Sequence, residues 1–197
     1  MAYRVVHPAA ADALIDEEAF ARDERLPYWA ELWPSAVTLA RRVSKEDLAG
    51  KRIVELGCGV GLPSMVALSR GAEVIATDHY AAALDFARYN ACANLGVELE
   101  TRLLDWQAPG PEGLGPFDLV LAADVLYEPR NVSALAALIP TLLTSDGETL
   151  LADPRRKDAP EFLELMGKRG FENATQSVVV EQGEREVTVL VHRLRCG

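Results

Sequence analysis

The sequence predicts an α/β protein with a doubly wound, mostly parallel sheet that ends in an antiparallel hairpin. Short apolar strands alternate with helical stretches along most of the chain, as expected of right-handed βαβ units with helices on both faces. Near the C-terminus the pattern changes to two strand-like runs joined by the turn QGER. Such a sheet binds its ligand at the carboxyl ends of the strands, near the point where strand order reverses.

The expected strands are short runs of apolar and β-branched residues, most of them preceded or followed by glycine or polar residues. The fourth is apolar on both faces, as a buried parallel strand should be. The seven strands are Arg52–Leu56, Glu73–Thr77, Leu99–Leu104, Phe117–Ala123, Glu148–Ala152, Ser177–Glu181 and Glu186–Leu194.

The expected helices carry apolar residues at helical spacing between these strands. Gly71 ends the first helix, and Pro140 is expected to interrupt the third. The Pro- and Gly-rich segment Gln107–Pro116 is expected to be a loop. The core helices are Pro63–Arg70, Ala81–Ala93, Asn131–Leu143 and Ala159–Arg169, and an amphipathic helix is expected at Ala11–Arg22.

Length and composition indicate one folded domain. The chain has 197 residues, of which 49% are hydrophobic and 25% are charged, which is ordinary for a globular protein. We expect a single domain over residues 1–197, with an N-terminal helical segment at 1–50 and the core at 51–197. A net charge of −10 repels phosphate backbones and anionic lipid, so neither nucleic acid nor a membrane is an expected partner.

The cysteines and histidines are too few and too dispersed for a disulfide framework or a metal site. The first residues lack the pattern of a signal peptide, and no apolar run reaches 18 residues. We therefore expect a cytoplasmic protein with reduced thiols and no metal.

The most informative segment is VELGCGVGLP, at residues 54–63. A strand runs into Gly57, Gly59 and Gly61 and then into a helix that begins near Pro63. Glycines permit a sharp turn and close approach of a ligand to the backbone, and the helix N-terminus offers free N–H groups. Cys58 supplies a small side chain within this loop.

The spacing of the glycines in the loop limits which ligands are expected. The pattern G-x-G-x-G matches neither the dinucleotide fingerprint nor the Walker pattern. Glu55 comes directly before the turn and would repel a pyrophosphate. A carboxylate there suits a ligand that carries an ammonium group, and S-adenosylmethionine (SAM) carries one beside a carboxylate.

Further acids follow the next strands. Asp78 lies 19 residues after Gly59, where an acid can accept the hydroxyls of a ribose. Asp105 can accept from an adenine amine, and Trp106 can stack nearby. His79 either packs on the adenine or is a solvated loop residue.

These residues resemble the class I SAM-dependent methyltransferases, which have a seven-stranded Rossmann-like sheet. The resemblance covers roughly Trp29–Gly170. It makes the segment Glu55–Gly61 the first motif of the family, Asp78 the ribose-binding acid and Asp105 the adenine-binding acid.

A narrower resemblance lies outside the glycine loop. The segment Trp29–Ala36 (WAELWPSA) and the sequence Asp124-Val125-Leu126-Tyr127 are similar to methyltransferase family 16, which contains many lysine methyltransferases of non-histone proteins. The resemblance implies that Trp33 lines the methionine end of SAM and that Asp124 and Tyr127 face the acceptor as the catalytic pair. Ala123, directly before Asp124, completes the candidate cofactor site.

The expected function is SAM-dependent N-methylation of a lysine in a protein, with S-adenosylhomocysteine as the product. Two alternatives stay open: a small-molecule N- or O-methyltransferase on the same fold, because fold does not fix the acceptor, and a non-catalytic SAM-binding protein. The basic cluster Arg155-Arg156-Lys157 is expected to be a solvated loop or a docking point for an acidic partner.

Overall fold

The computed structural model describes residues 2–10, 14, 26–108, 114–183 and 185–197. They contain one seven-stranded sheet in the order β3-β2-β1-β4-β5-β7-β6. Strands β1 to β5 are parallel, and β7 pairs antiparallel with both β5 and β6. The strands are β1 Arg52–Leu56, β2 Glu73–Asp78, β3 Glu100–Leu103, β4 Phe117–Ala123, β5 Leu143–Asp153, β6 Phe171–Gln182 and β7 Arg185–Cys196. The predicted fold class is confirmed.

Five helices flank the sheet in the described part of the chain, and a short 3-10 helix at Tyr28–Ala30 precedes them. They are α1 Pro34–Val43, α2 Leu62–Ser69, α3 Ala81–Leu95, α4 Pro129–Leu142 and α5 Ala159–Lys168. The predicted helix Ala11–Arg22 lies outside the described residues apart from position 14, as do residues 109–113 of the predicted loop.

The main differences from the sequence-based expectation concern Pro140, the start of β5 and the lengths of β6 and β7. Pro140 does not interrupt α4, because the helix ends only two residues later and the buried Ile139 and Leu142 hold its last turn by packing. Strand β5 begins five residues before the predicted start, at a register shift opposite β4. Strands β6 and β7 extend over twelve residues each, since antiparallel pairing continues along mostly exposed β6 positions whose polar residues gave no apolar signal.

The core lies on both faces of the sheet, and β4 shows why. Leu119 and Leu121 pack with α1, α2 and α3 on one face, whereas Val120 and Ala122 pack with α4 and α5 on the other. Alternation of apolar side chains to two covered faces explains why this strand is apolar throughout.

Asn90 of α3 forms hydrogen bonds with the N-terminal residues. The Asn90 side chain is fully buried. It accepts from the Val6 N–H and donates to the Val6 carbonyl, each at 2.8 Å, and it also donates to the Val60 carbonyl. One side chain therefore joins the segment before the sheet to the glycine loop.

Strand order reverses at β1, which lies between β2 and β4. The carboxyl ends of these strands carry the glycine loop, Asp78 and Asp124, so the topology places the candidate residues around one crevice. Within the described ranges, every helix is too short or too polar to span a lipid bilayer.

Candidate functional site

A cavity lies at the carboxyl ends of β1, β2 and β4. Its wall is formed by the glycine loop, by the turns after β2, β3 and β4, and by the segment around the short 3-10 helix. It brings together nearly all of the predicted site residues: Trp33, Glu55, Gly57, Cys58, Gly59, Asp78, His79, Asp105, Trp106, Ala123, Asp124 and Tyr127.

Gly61 is among the candidates but does not line this cavity. It has φ +84°, and a Cβ there would lie 2.8 Å from the Ala87 Cβ of α3. Gly61 therefore allows α2 and α3 to pack closely. Gly57 differs because its φ is +69° and a Cβ would lie 3.0 Å from Trp106 Cζ2 inside the cavity.

Asp78 holds the glycine loop in place. Its Oδ2 accepts from the Gly59 N–H at 2.9 Å, and its Oδ1 accepts from the Tyr80 N–H at 3.0 Å. Burial raises the pKa of Asp78, whereas these backbone hydrogen bonds lower it. Each carboxylate oxygen can accept a further hydrogen bond, so Asp78 remains able to bind ribose hydroxyls.

Glu55 lies at the floor of the cavity and is 1% exposed. Its Oε2 accepts from the Ser64 N–H at 2.9 Å and from the Ser64 hydroxyl at 2.5 Å. Burial nevertheless raises its pKa to about 8, so most Glu55 side chains are protonated at pH 7. An ammonium group bound beside Glu55 would favour the ionised form.

The part of the cavity that follows β3 contains a hydrogen-bond donor without a partner. Trp106 lines the cavity, and its buried indole N–H has no partner among the described residues. A buried donor without a partner is costly, so a ligand with an acceptor fits here. Nearby, the Asp105 Oδ1 accepts from the Gln107 N–H, and Asp105 Oδ2 lies 4.0 Å from His79 Nδ1.

Cys58 does not fit a nucleophilic role. It is buried, and burial together with the Asp78 carboxylate raises its pKa. The thiol therefore stays protonated, and its small size suits it to the wall of the cavity.

Asp124 lies directly after β4, with φ +56° and 7% exposure. The Arg156 guanidinium holds both of its oxygens: Nε donates to Oδ1 at 2.8 Å, and Nη2 donates to Oδ2 at 3.2 Å. Sequence reasoning missed this pair. The expectation of a merely solvated loop is corrected for Arg156, because the turn after β5 directs it to the end of β4, whereas docking of an acidic partner stays a prediction.

Tyr28 is a second residue that sequence reasoning missed. Its ring lies 5.0 Å from the ring of Tyr127 and 6.3 Å from that of Trp33, whose indole N–H donates to the Tyr28 carbonyl at 2.7 Å. These three residues form the aromatic rim of the cavity. Partial burial and the Glu128 carboxylate raise the pKa of Tyr127, so its hydroxyl remains protonated.

Comparison with known proteins finds similarity to methyltransferases throughout. The family model described as lysine methyltransferase matches residues 22–169. Protein N-lysine methyltransferase METTL21A of Danio rerio is 34% identical over 154 residues, which are 74% of this chain and 70% of that protein. Histone-arginine methyltransferase METTL23 of Xenopus laevis is 36% identical over 110 residues, 53% of this chain and 47% of that protein. The chain thus spans about half the length of METTL23.

A solved structure shares the fold. The magnesium protoporphyrin IX methyltransferase of Synechocystis, with bound SAM, has a TM-score of 0.65 and 20% identity, covering 95% of this chain and 99% of that one. At this identity the likeness establishes the Rossmann-like methyltransferase fold. That protein binds SAM, and the corresponding crevice of this chain contains a glycine loop, buried acids and an indole donor without a partner among the described residues.

Proposed function

The chain belongs to the lysine methyltransferase family, and we propose that it transfers a methyl group from SAM to the side-chain amine of a lysine in a protein. The observation that carries the proposal is the position of Asp124 and the aromatic rim on one side of the candidate cofactor cavity. A carboxylate beside aromatic rings suits a long side chain that ends in an amine.

In the proposed cofactor site, the acids bind the polar groups of SAM. Glu55 binds the ammonium group of the methionine end, which Trp33 lines. Asp78 binds the ribose, and Asp105 and Trp106 bind the adenine. The remaining candidates, which shape the wall or offer backbone groups, are Gly57, Cys58, Gly59, His79 and Ala123.

When bound, the cofactor supplies a methyl group on a sulfonium: the amine lone pair forms the N–C bond as the S–C bond breaks, and the electrons of that bond stay on sulfur. The chain has to align the amine with the methyl group, and such alignment supplies much of the rate. We assign orientation of the amine to Asp124 and Tyr127, the proposed catalytic pair. The Tyr127 hydroxyl stays protonated, so the amine proton leaves to solvent and not to Tyr127.

An arginine acceptor is the second candidate, because METTL23 is named an arginine methyltransferase. The ion pairs of Asp124 and Glu128, two carboxylates that line the cavity beside the aromatic rim, favour lysine. Asp124 is held by Arg156, and Glu128 is paired with Arg130, so neither offers a free bidentate face to a guanidinium. The match to METTL21A also covers more of both chains.

The test is methylation of proteins in a gel-filtered cell lysate with SAM that carries a radiolabelled methyl group. We expect labelled protein bands whose acid hydrolysate contains methyllysine. Methylarginine would support the second candidate, a labelled small molecule in unfractionated lysate would support a small-molecule acceptor, and no product would support a non-catalytic SAM-binding protein.

Asp124→Ala sharpens this test. We expect it to abolish methylation while leaving SAM affinity nearly unchanged in calorimetry, because Asp124 is assigned to the acceptor. Asp146→Ala, which removes an exposed carboxylate, is the matched control and should behave as wild type. Loss of SAM binding in Asp124→Ala would move this residue to the cofactor site.

We also place the protein in the cytoplasm. Cys58, Cys92 and Cys196 are free thiols, which supports a reducing compartment. Fractionation of cells that express the tagged protein tests this placement.

A further inference from the structure

We propose that Arg156 is a positioning residue that balances the charge of Asp124, so that a lysine in the acceptor site can give up its proton and attack. The inference rests on the proposed lysine methylation and adds a residue to it. Arg156 does not line the cavity, so it acts through Asp124.

The ends of the neighbouring strands β4 and β5 bring Asp124 and Arg156 together. Strands β4 and β5 pair in parallel with Ala123 opposite Ala152, and the Asp124 N–H donates to the Ala152 carbonyl at 2.8 Å. Asp124 and Arg155 are the described non-glycine residues with positive φ, at +56° and +67°. Such strained residues concentrate at functional sites, and here one of them, Asp124, belongs to the ion pair and the other, Arg155, directly precedes Arg156.

Asp153 shapes the turn that carries Arg156. It is fully buried, and its Oδ2 accepts from the Arg156 N–H at 2.9 Å. The turn therefore fixes the backbone of Arg156, and the two side-chain hydrogen bonds fix its guanidinium on Asp124. Each Asp124 oxygen can accept a further bond, which leaves an acceptor for an amine on the cavity side.

The chemistry explains why such a pair is useful. A lysine ammonium has no lone pair, and only a small fraction of ordinary lysines are neutral at pH 7. An unpaired carboxylate beside the amine would stabilise the ammonium and oppose loss of its proton. With Arg156 on Asp124, the carboxylate still accepts a hydrogen bond from the amine, but its charge is largely cancelled.

The other charged or titratable groups around the cavity do not replace Arg156. Burial raises the pKa of Glu55 to about 8, and Tyr127 stays protonated. Asp153 lies behind the turn, where burial raises its pKa to about 6. None of the remaining titratable groups that line the cavity is a permanent cation; they are Tyr28, Glu31, Cys58, Asp78, His79, Tyr80, Asp105 and Glu128.

The experiment measures single-turnover methylation of the protein isolated by the labelling assay, between pH 6.5 and pH 9.5 with saturating SAM. In Arg156→Gln we expect the rising limb of the rate to shift upward by about one pH unit. The rate at pH 7 should then fall about tenfold, while KM for the acceptor stays equal or decreases. Arg156→Lys restores the charge and should restore the pH midpoint.

The matched control is Lys157→Gln, which removes the same charge from an exposed neighbouring position and should leave the profile unchanged. Calorimetry with SAM verifies that each variant is folded, and Arg156→Met provides a second neutral variant. An equal loss of rate at every pH, or a midpoint that Arg156→Lys does not restore, would overturn the role of Arg156. Absence of methyllysine with wild type would overturn the proposed function itself and this inference with it.

Discussion

Replacing Glu55 by Gln tests whether the buried acid at the cavity floor is protonated in the free protein. The carbonyl of the introduced amide can still accept both hydrogen bonds from Ser64, but the new side chain has no proton to lose. Glu55 is 1% exposed, so solvent does little to stabilise its ionised form. The variant should therefore keep the local structure and remove one titration.

The expected magnitude follows from the pKa. Burial raises the Glu55 pKa from 4.5 to about 8, which corresponds to about 5 kcal/mol of differential interaction. Because the folded-state pKa is the higher one, the folded protein binds more protons between these values. The stabilisation is complete below pH 4.5 and is lost as the pH rises to about 8. In Glu55→Gln, the free energy of unfolding should decline less over this pH range, because the contribution of Glu55 is missing.

The assay is urea unfolding of both proteins at intervals from pH 5 to pH 9. Between the two pKa values of Glu55, we expect the free energy of unfolding of wild type to fall relative to that of Glu55→Gln by about 1.4 kcal/mol per pH unit. Glu161→Gln, at an exposed position of α5, is the matched control and should run parallel to wild type. A Glu55→Gln curve that also runs parallel to wild type would refute the assignment of a protonated Glu55.

Three further predictions concern the cofactor site and the N-terminal segment. Asp78→Ala should abolish SAM binding in calorimetry, because the ribose would lose its acceptor; retained micromolar binding would contradict this. Gly57→Ala should weaken SAM binding at least tenfold, since its Cβ would lie 3.0 Å from Trp106; unchanged affinity would show that the loop adapts. Asn90→Ala should lower the free energy of unfolding by about 3 kcal/mol, because the Val6 backbone loses both of its partners; an unchanged urea midpoint would contradict it.

Local sequence patterns predicted the fold because each one has a direct physical cause. Strand β4 is apolar on both faces because helices cover both of them. The glycine loop was visible because positive φ at Gly57, Gly59 and Gly61 requires glycine or strains other residues. The strand ends were less predictable, since the extra residues of β6 are mostly exposed and antiparallel pairing alone extends the strand.

Site residues that directly follow a predicted strand could be predicted. Residues that reach the site from a turn after another strand, or from a loop, could not. Asp78 and Asp124 could be placed because each directly follows a predicted strand. The pair between Asp124 and Arg156 joins residues 32 positions apart, and nothing in local spacing indicates it. Tyr28 reaches the rim through the Trp33 indole hydrogen bond, which is equally invisible in the sequence.

The strand order also separates the proposed cofactor side of the cavity from the proposed acceptor side. The ends of β1, β2 and β3 carry Glu55, Asp78 and Asp105, which we assign to SAM, whereas the ends of β4 and β5 carry the Asp124–Arg156 pair, which we assign to the acceptor. Because β5 pairs with β4 and not with β1, a change in the turn after β5 alters the acceptor side without touching the glycine loop. One fold can therefore keep its cofactor site while its acceptor changes, in keeping with similarity of this chain to proteins named for lysine and for arginine methylation.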